Sequence, residues 1–361
     1  MSTRVAAAAG TPATRSGLLE SARRRPVALA VLGLVLVAAT LVLGVALGNV
    51  SIPLADTVAM LAHRLLGWPV HVTWPQSSET IVFELRLPRV LTAMAVGVAL
   101  SLAGATYQGL LRNPLADPYV LGTASGAALG AAVALLIPVQ LAFLGLGLLQ
   151  VLAFAGALAA VAVVYRVSRV GGQGSMTAVL LTGYAVGSLL AAGLAMTMYL
   201  SGNNLRQIFF YLLGSFAQAS WQQLLVALPL ICLGSVVIIS RARSLNAMLL
   251  GEQTAAHLGL DVRRERLILL GAATLITAAS VAVSGLIGFV GLVVPHLVRL
   301  VVGPNARTLL PLSAIYGAVF LALADLLARM PGELPVGVVT AIIGAPFFLY
   351  LLRRYHAGYE L

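Results

Sequence analysis

The run "VALAVLGLVLVAATLVLGVAL" at residues 27–47 contains 21 residues and no charge. An α-helix needs about 20 apolar residues to cross the roughly 30 Å hydrocarbon layer of a bilayer, so this run predicts a membrane-spanning helix. The core of a signal peptide is only about 7–15 residues long, which favours a retained span over a cleaved signal. Strands of membrane barrels alternate in hydrophobicity over about 10 residues, whereas this run is continuously apolar.

The rest of the sequence has the same character. Of its 361 residues, 60% are hydrophobic and 9% are charged, and the mean hydropathy is +1.00, whereas soluble domains are about 25% charged. Apolar runs of helical length recur along the chain, which predicts an all-α, polytopic membrane protein with about ten transmembrane helices. The predicted spans are 27–47, 90–110, 119–138, 143–165, 177–200, 221–240, 267–287, 289–303, 309–329 and 336–352.

Arginine placement predicts the orientation of these spans. All 22 basic residues are arginine, and 17 of them lie on the cytoplasmic side if the N-terminus is cytoplasmic, against five outside. Because cytoplasmic segments carry the excess of basic residues, both termini are predicted to be cytoplasmic. Residues 1–26 then form a cytoplasmic arm, 27–354 a single membrane domain and 355–361 a cytoplasmic tail. On the outer side, 51–67 and 205–216 predict short interfacial helices.

Composition and motifs exclude several classes of function. The chain has no lysine, and a phosphate-binding loop of the form GxxxxGK[ST] requires one. Its single cysteine, Cys232, cannot form an intrachain disulfide, and no HExxH or CxxC pattern occurs. We therefore expect no enzyme activity, metal site or cofactor on this chain, and no nucleic-acid partner. His296, alone in the eighth predicted span, is expected to be a hydrogen-bonded structural residue rather than a proton relay.

The insert "SRARSLNAMLLGEQTAAHLGLDVRRER" at 240–266 is a long polar interruption that faces the cytoplasm in this orientation. Its residues favour helix, with a break at Gly251 and a left-handed end at Gly259. Small residues here, including Ala255 and Ala256, allow another backbone to come close, which indicates a cytoplasmic partner protein. A loop held by arginines explains the "RRER" cluster equally well, but it does not explain the helix pair.

Four stretches of the chain resemble one family. They are "LLGEQTAAHLGLDV" (249–262), "RLPRVLTAMAVGVALSLAGATYQGLLRNPLADPYVLGTASGAALGA" (86–131), "SGLIGFVGLVVPHLVRLVVGPNARTLLPLSAIYGAVFLALADLLAR" (284–329) and "ELPVGVVTAIIGAPFFLYLLRR" (333–354). Together they are similar to the FecCD family of permease subunits in type II ABC importers for iron chelates and cobalamin. The resemblance implies a homodimer in the bacterial inner membrane, with two ATP-binding-cassette subunits below it. A periplasmic binding protein delivers cargo from above, and ATP and Mg bind the partner ATPase.

The resemblance also implies roles for individual residues. In the segment 241–266, the residues implied to couple to the ATPase are Leu250, Gly251, Glu252, Ala255, Ala256, Leu258 and Gly259. Docking of the binding protein falls to the outer arginines Arg86, Arg89 and Arg329, for which snorkelling to headgroups or a local Asp325–Arg329 pair is the alternative. The cytoplasmic gate falls to Asn113, Leu115, Met176 and Thr177, in loops that ordinary turn chemistry also explains.

The stretch at 176–200 is rich in small residues and has no charge. At 100° per residue, six of its side chains lie within roughly 100° of arc. They are Tyr184, Ser188, Ala191, Ala195, Met198 and Tyr199. The resemblance implies that this face is a wall of the translocation path, and close packing of helices through small residues is the alternative.

The function that follows is a permease that imports an iron chelate, either haem or a ferric siderophore. Cobalamin is the alternative cargo within the same family. An ion-coupled secondary transporter is the alternative of a different class. It would need ionisable residues near the middle of the bilayer, and the predicted spans almost lack them.

Overall fold

The computed structural model describes residues 26–48, 50–69, 72, 74–139, 142–143, 146–169, 176–330 and 332–356. These residues are predominantly helical, which confirms the all-α prediction, and strand within them is limited to a hairpin of Ala142–Phe143 with Leu146–Gly147. Most of the predicted N-terminal arm (1–25), the glycine-rich link at 170–175 and residues 357–361 of the predicted tail lie outside the described residues.

The described helices occupy most of the chain. In chain order they are α1 Pro26–Ala46, α2 Leu54–Leu66, α3 Gln76–Thr80, α4 Leu87–Leu111, α5 Thr123–Leu136, α6 Leu148–Ser168, α7 Met176–Leu200, α8 Leu205–Leu213, α9 Trp221–Ser240, α10 Ala242–Leu249, α11 Glu252–His257, α12 Val262–Ser284, α13 Val290–Val302, α14 Ala306–Arg329 and α15 Val336–His356. A π-helical segment, Ile81–Arg86, joins α3 to α4. The predicted interfacial segments correspond to α2 and α8.

Seven helices are long and apolar enough to cross a membrane, counting Gln76–Leu111 as one, and three shorter apolar helices accompany them among the described residues. Each of the ten predicted spans overlaps one of these helices. Two of the short ones, α5 and α13, have 14 and 13 residues. At 1.5 Å per residue they are only about 20 Å long, so each falls short of the roughly 30 Å layer.

Non-helical segments precede both short helices, and they include residues 119–122, 285–287 and 289, which the predicted spans assigned to helix. Pro114 and Pro118 lack the N–H that a helix needs, and Gly122 adopts a left-handed φ of 78° before α5. Ahead of α13, Gly285 has a φ of 69°. The two segments are joined by Tyr119, whose hydroxyl donates to Ile287 O at 3.1 Å and accepts from Ile287 N at 3.2 Å. Irregular backbone at membrane depth requires such internal partners.

The long helix that ends in α4 forms the centre of the bundle. It starts at Gln76, well before the predicted start of span two at residue 90, and α4 packs against α9, α12, α13 and α14. Glycines permit this: a Cβ on Gly104 would lie 1.8 Å from Gly291 O, and one on Gly97 would lie 2.2 Å from Gly317 O. Small residues of this kind bring membrane helices into backbone contact.

A polar network holds α13 against α4 in the half of the bundle that is predicted to face the cytoplasm. Pro295 lies inside α13 and has no N–H to donate to Gly291 O. Gln108 of α4 replaces that bond, because its Nε2 donates to Gly291 O at 3.2 Å and to Leu292 O at 3.3 Å. Arg299 Nη2 in turn donates to Gln108 Oε1 at 2.7 Å.

Candidate functional site

The C-terminal ends of α1 and α14 meet the start of α4 in a buried polar cluster, called the outer cluster because the predicted orientation puts it on the outer side. Arg86, Arg89 and Arg329 are only 7%, 8% and 4% exposed. Arg86 Nη1 donates to Val45 O at 2.9 Å and to Ala46 O at 2.8 Å. Those carbonyls end α1 and lack helical partners, and the negative end of the helix dipole favours a cation there.

Two carboxylates hold the other arginines of this outer cluster. Asp325, which is 1% exposed, accepts from Arg89 Nη2 at 3.0 Å and from Arg89 Nε at 3.1 Å, and it lies 3.3 Å from Arg329 Nε. Glu333 accepts from Arg89 Nη1 at 3.0 Å, and Arg329 Nη2 donates to Gly44 O at 3.0 Å. With three cations and two carboxylates, the outer cluster carries one excess positive charge.

Docking of a binding protein by Arg86, Arg89 and Arg329 stays a prediction, but the three side chains already have partners within the chain. Their guanidinium groups are buried and contact carbonyls and carboxylates of the same chain. The alternative Asp325–Arg329 pair is present. Glu333, whose side chain is 43% exposed, is the accessible member of the two carboxylates, and sequence reasoning did not select it.

The predicted path residues share one exposed face of α7. Tyr184 and Tyr199 are 79% and 84% exposed, Ser188, Ala191 and Ala195 are also exposed, and Met198 is half-buried. The opposite side of α7 packs on α5 and α6, where Gly183 and Thr197 are buried. The six side chains are therefore open to a partner, to lipid or to cargo, and the packing alternative does not account for them within one chain.

A wide apolar groove lies between α8, α15 and the segment before α13. Its volume is about 810 Å³, and Leu213, Phe289 and Ile342 line it together with Tyr119. Ile342 is 67% exposed, so the groove is open to the surroundings of the chain. Like the face of α7, it is uncharged.

The predicted gate residues lie on two segments at the inner end. Asn113 is exposed, and its Oδ1 accepts from Leu115 N at 2.9 Å, which is the turn chemistry kept as the alternative. Leu115 and Met176 are half-buried and Thr177 is exposed. Met176 packs on a hydrophobic cluster that includes Ala116, next to Leu115. The two segments therefore border one apolar cluster.

The polar insert forms a compact knob built from α10 and α11. Leu250 and Leu258 are each 66% exposed, and Glu252 and Ala256 are also exposed. Gly251 at φ 109° forms the predicted break, and Gly259 at φ 82° follows α11. Ala255 is fully buried, so it packs the knob and is not available as a coupling contact.

Side-chain bonds fix the knob to the membrane helices. Arg241 Nη1 donates to Glu265 Oε1 of α12 at 2.5 Å, and Glu252 pairs with Arg266. Asn246 of α10 accepts from Ala306 N at 2.7 Å, at the start of α14. A force applied to α10 and α11 therefore reaches α12 and α14 directly.

His296 is buried as a structural residue would be, but it lacks the hydrogen bond that was predicted for it. It is 3% exposed, and neither ring nitrogen has a hydrogen-bond partner among the described residues, although its ring meets Phe347 edge-on at 6.2 Å between centroids. Within the described part of the chain, no group of three or more His, Cys, Asp or Glu residues could hold a metal ion.

Comparison with known proteins identifies the family that this chain resembles. Residues 35–354 match the FecCD transport family. The uncharacterized ABC transporter permease protein YvrB of Bacillus subtilis is 43% identical, covering 91% of this chain and 94% of its own. The hemin transport system permease protein HmuU of Yersinia pestis is 44% identical over 76% of this chain and 83% of its own. The cobalamin import system permease protein BtuC of Halobacterium salinarum is 42% identical, with coverages of 85% and 87%.

The fold agrees as well. A solved structure of a metal-chelate type ABC transporter in an inward-facing conformation superposes with a TM-score of 0.78 at 30% identity, covering 90% of this chain and 98% of that one. The match to the family extends over most of the chain and includes the knob, the exposed face of α7 and the outer cluster. The chain therefore belongs to the FecCD transport family.

Proposed function

We propose that the chain is the permease subunit of an ATP-driven importer for a metal chelate. It acts as a homodimer with two ATP-binding-cassette subunits and an external binding protein, in a bacterial inner membrane. All ten apolar helices lie within the membrane, and both termini are cytoplasmic. The cargo is an iron complex, haem or a ferric siderophore, or else cobalamin, because relatives named for hemin and cobalamin are similarly distant from this chain.

The knob is the observation that supports this proposal most directly. Two exposed leucines, Leu250 and Leu258, flank a short helix on a polar insert. Large apolar side chains grouped on a surface indicate a protein partner. The knob is braced to α12 and α14 by Glu265 and Asn246, so a nucleotide-driven movement of the ATPase would move those helices.

The exposed face of α7 supports a path between two copies of the chain. It joins tyrosine, serine and alanine without a charge, so cargo can move along it without strong retention. Affinity then belongs to the external binding protein. The excess positive charge of the outer cluster attracts an acidic partner surface, and Glu333 is its accessible carboxylate.

An ion-coupled transporter is less well supported. Asp325 and Arg329 lie close to the end of α14, where Asp325 pairs with Arg89, whereas ion coupling places ionisable groups near the bilayer centre. Vesicle uptake separates the two functions. We expect import to stop without ATP and to continue in the presence of an uncoupler. Import that ends with the uncoupler and persists without ATP would refute the proposal.

A further inference from the structure

The contact between α13 and α15 includes two aromatic side chains. Phe289, the residue before α13, packs on Gly344 of α15, since a Cβ on Gly344 would lie 2.4 Å from Phe289 Cγ. Further along both helices, Phe347 of α15 meets the ring of His296 edge-on, at 6.2 Å between centroids. We refer to these two packings together as the α13–α15 contact.

The backbone of Phe289 is strained at this contact. Its φ is 69° and its ψ is −25°, and a positive φ is unusual for a bulky side chain. Such a conformation persists only where the surrounding structure enforces it, and it is often found in segments that switch between conformations. The ring of Phe289 is held against the backbone of Gly344. Moving α15 away would therefore let Phe289 return to a negative φ.

His296 is unfavourable at the same contact for an independent reason. It is 3% exposed, and neither ring nitrogen finds a hydrogen-bond partner in the ranges that the structure describes. A buried polar group without a partner has lost its hydrogen bonds to water and gained none in return. Because Phe347 of α15 packs against the ring, separating the two helices would open the imidazole to water or to a polar group.

Helix α15 also has a weak point beside this contact. Pro346 lies inside α15, and it lacks the N–H that would bond to Ile342 O, so the helix can bend there. Gly344 adds backbone freedom two residues earlier. On its other side, α13 is fastened to α4 by Gln108, whose Nε2 donates to Gly291 O at 3.2 Å. The contact with α15 is therefore the side of α13 that opens more easily.

We propose that the α13–α15 contact opens and closes during the transport cycle, with α15 bending between Gly344 and Pro346. Opening relieves the backbone strain of Phe289 and frees the ring of His296. Closing is favoured by the burial of apolar surface, including that of Phe347. Opposing contributions of this kind keep two packing arrangements close in free energy, as a switching interface requires.

The inference rests on the proposed function, because the ATPase would drive the change. The knob is bonded to the start of α14, where Asn246 accepts from Ala306 N at 2.7 Å. Helix α14 packs against both α13 and α15. A displacement of the knob therefore reaches both sides of the contact through one helix.

The first test uses the purified full-length chain in lipid nanodiscs and a small water-soluble maleimide. Cys232, the single cysteine, is replaced by serine, and His296→Cys then places one thiol in the contact. Adding Gly344→Ala, which pushes the two helices apart, should raise the labelling rate about fivefold or more, the lower end of the range for conformational coupling. Gly337→Ala is the control, because its Cβ would lie 2.2 Å from Leu213 O of α8 and so creates a clash in α15 against a different helix. The control should leave the rate unchanged.

The second test uses the importer assembled with its ATPase and binding protein. His296→Cys and Phe347→Cys, in the Cys232→Ser background, are joined by a short cross-linker that reduction cleaves. We expect the cross-linked importer to lose ATP-driven uptake and to recover it on reduction, whereas each single variant treated with the same reagent keeps its uptake. If Phe347→Cys itself stops uptake, labelling of the thiol at 296 is compared with and without ATP, and the rate should rise with ATP.

The inference is overturned if Gly344→Ala leaves the labelling rate unchanged, if Gly337→Ala raises it equally, or if ATP does not change it in the assembled importer. ATP-driven import that continues in the cross-linked importer refutes this inference alone. Import by the unmodified importer that does not depend on ATP refutes the proposed function, and the labelling rates of the isolated chain still decide whether the contact opens.

Discussion

Replacing Asp325 by asparagine removes the carboxylate that holds two buried guanidinium groups together. Asp325 is 1% exposed and lies 3.0 Å from Arg89 Nη2 and 3.3 Å from Arg329 Nε. Removing one partner of a buried ion pair leaves an uncompensated charge and costs about 3–5 kcal/mol. Glu333 also binds Arg89 at 3.0 Å, but its side chain is 43% exposed, so Glu333→Gln should cost at most about 1 kcal/mol.

The comparison of these two variants is measured by reversible unfolding in mixed micelles. We expect Asp325→Asn to lower the free energy of unfolding several-fold more than Glu333→Gln does. Both carboxylates bind Arg89, and Asp325 differs from Glu333 in its burial and in its second contact, with Arg329. Equal effects, or a stable Asp325→Asn protein, would show that water reaches the outer cluster and that its burial does not determine its energy.

Three further predictions follow from the packing. Leu250→Ala should weaken ATPase binding about 5- to 30-fold in a pull-down titration, because burying the exposed part of a leucine side chain contributes roughly 1–2 kcal/mol. Leu225→Ala, at a position 64% exposed on α9, is the control. An equal loss of ATPase binding in the control would contradict the prediction. Gly104→Ala should lower the unfolding midpoint strongly, because its Cβ would meet Gly291 O at 1.8 Å, whereas Gly271→Ala, with open space around it, should not. Gln108→Leu should cost about 1–3 kcal/mol of unfolding free energy by leaving Gly291 O unpaired, and an unchanged value would argue against the bond.

Local pattern was sufficient for the helices and for the knob. Apolar runs predicted the seven long apolar helices and the three shorter ones among the described residues, and the break at Gly251 was predicted because its conformation depends on neighbouring residues in the chain. The outer cluster was not predictable, because Arg89 finds Asp325 at a separation of 236 residues. Arginines on the predicted outer side are exceptions to the positive-inside rule, which singles them out. The sequence does not show which carboxylate each of them pairs with.

The lengths of α5 and α13 were also not predictable from local sequence pattern. The residues around Tyr119 and Ile287 are apolar enough to read as spans, yet left-handed glycines and prolines interrupt the helices there. The hydrophobicity of a segment shows whether it can lie in an apolar environment. It does not distinguish a helix from an extended segment that is shielded from lipid by its neighbours.

The bond between Tyr119 and Ile287 has a mechanical consequence. One phenol group supplies both the donor and the acceptor that the backbone of Ile287 needs, and Ile287 is only 1% exposed. If α13 shifted while α5 stayed in place, two polar groups would be stranded in an oily environment. The short helices α5 and α13 are therefore expected to move together as one unit during a transport cycle.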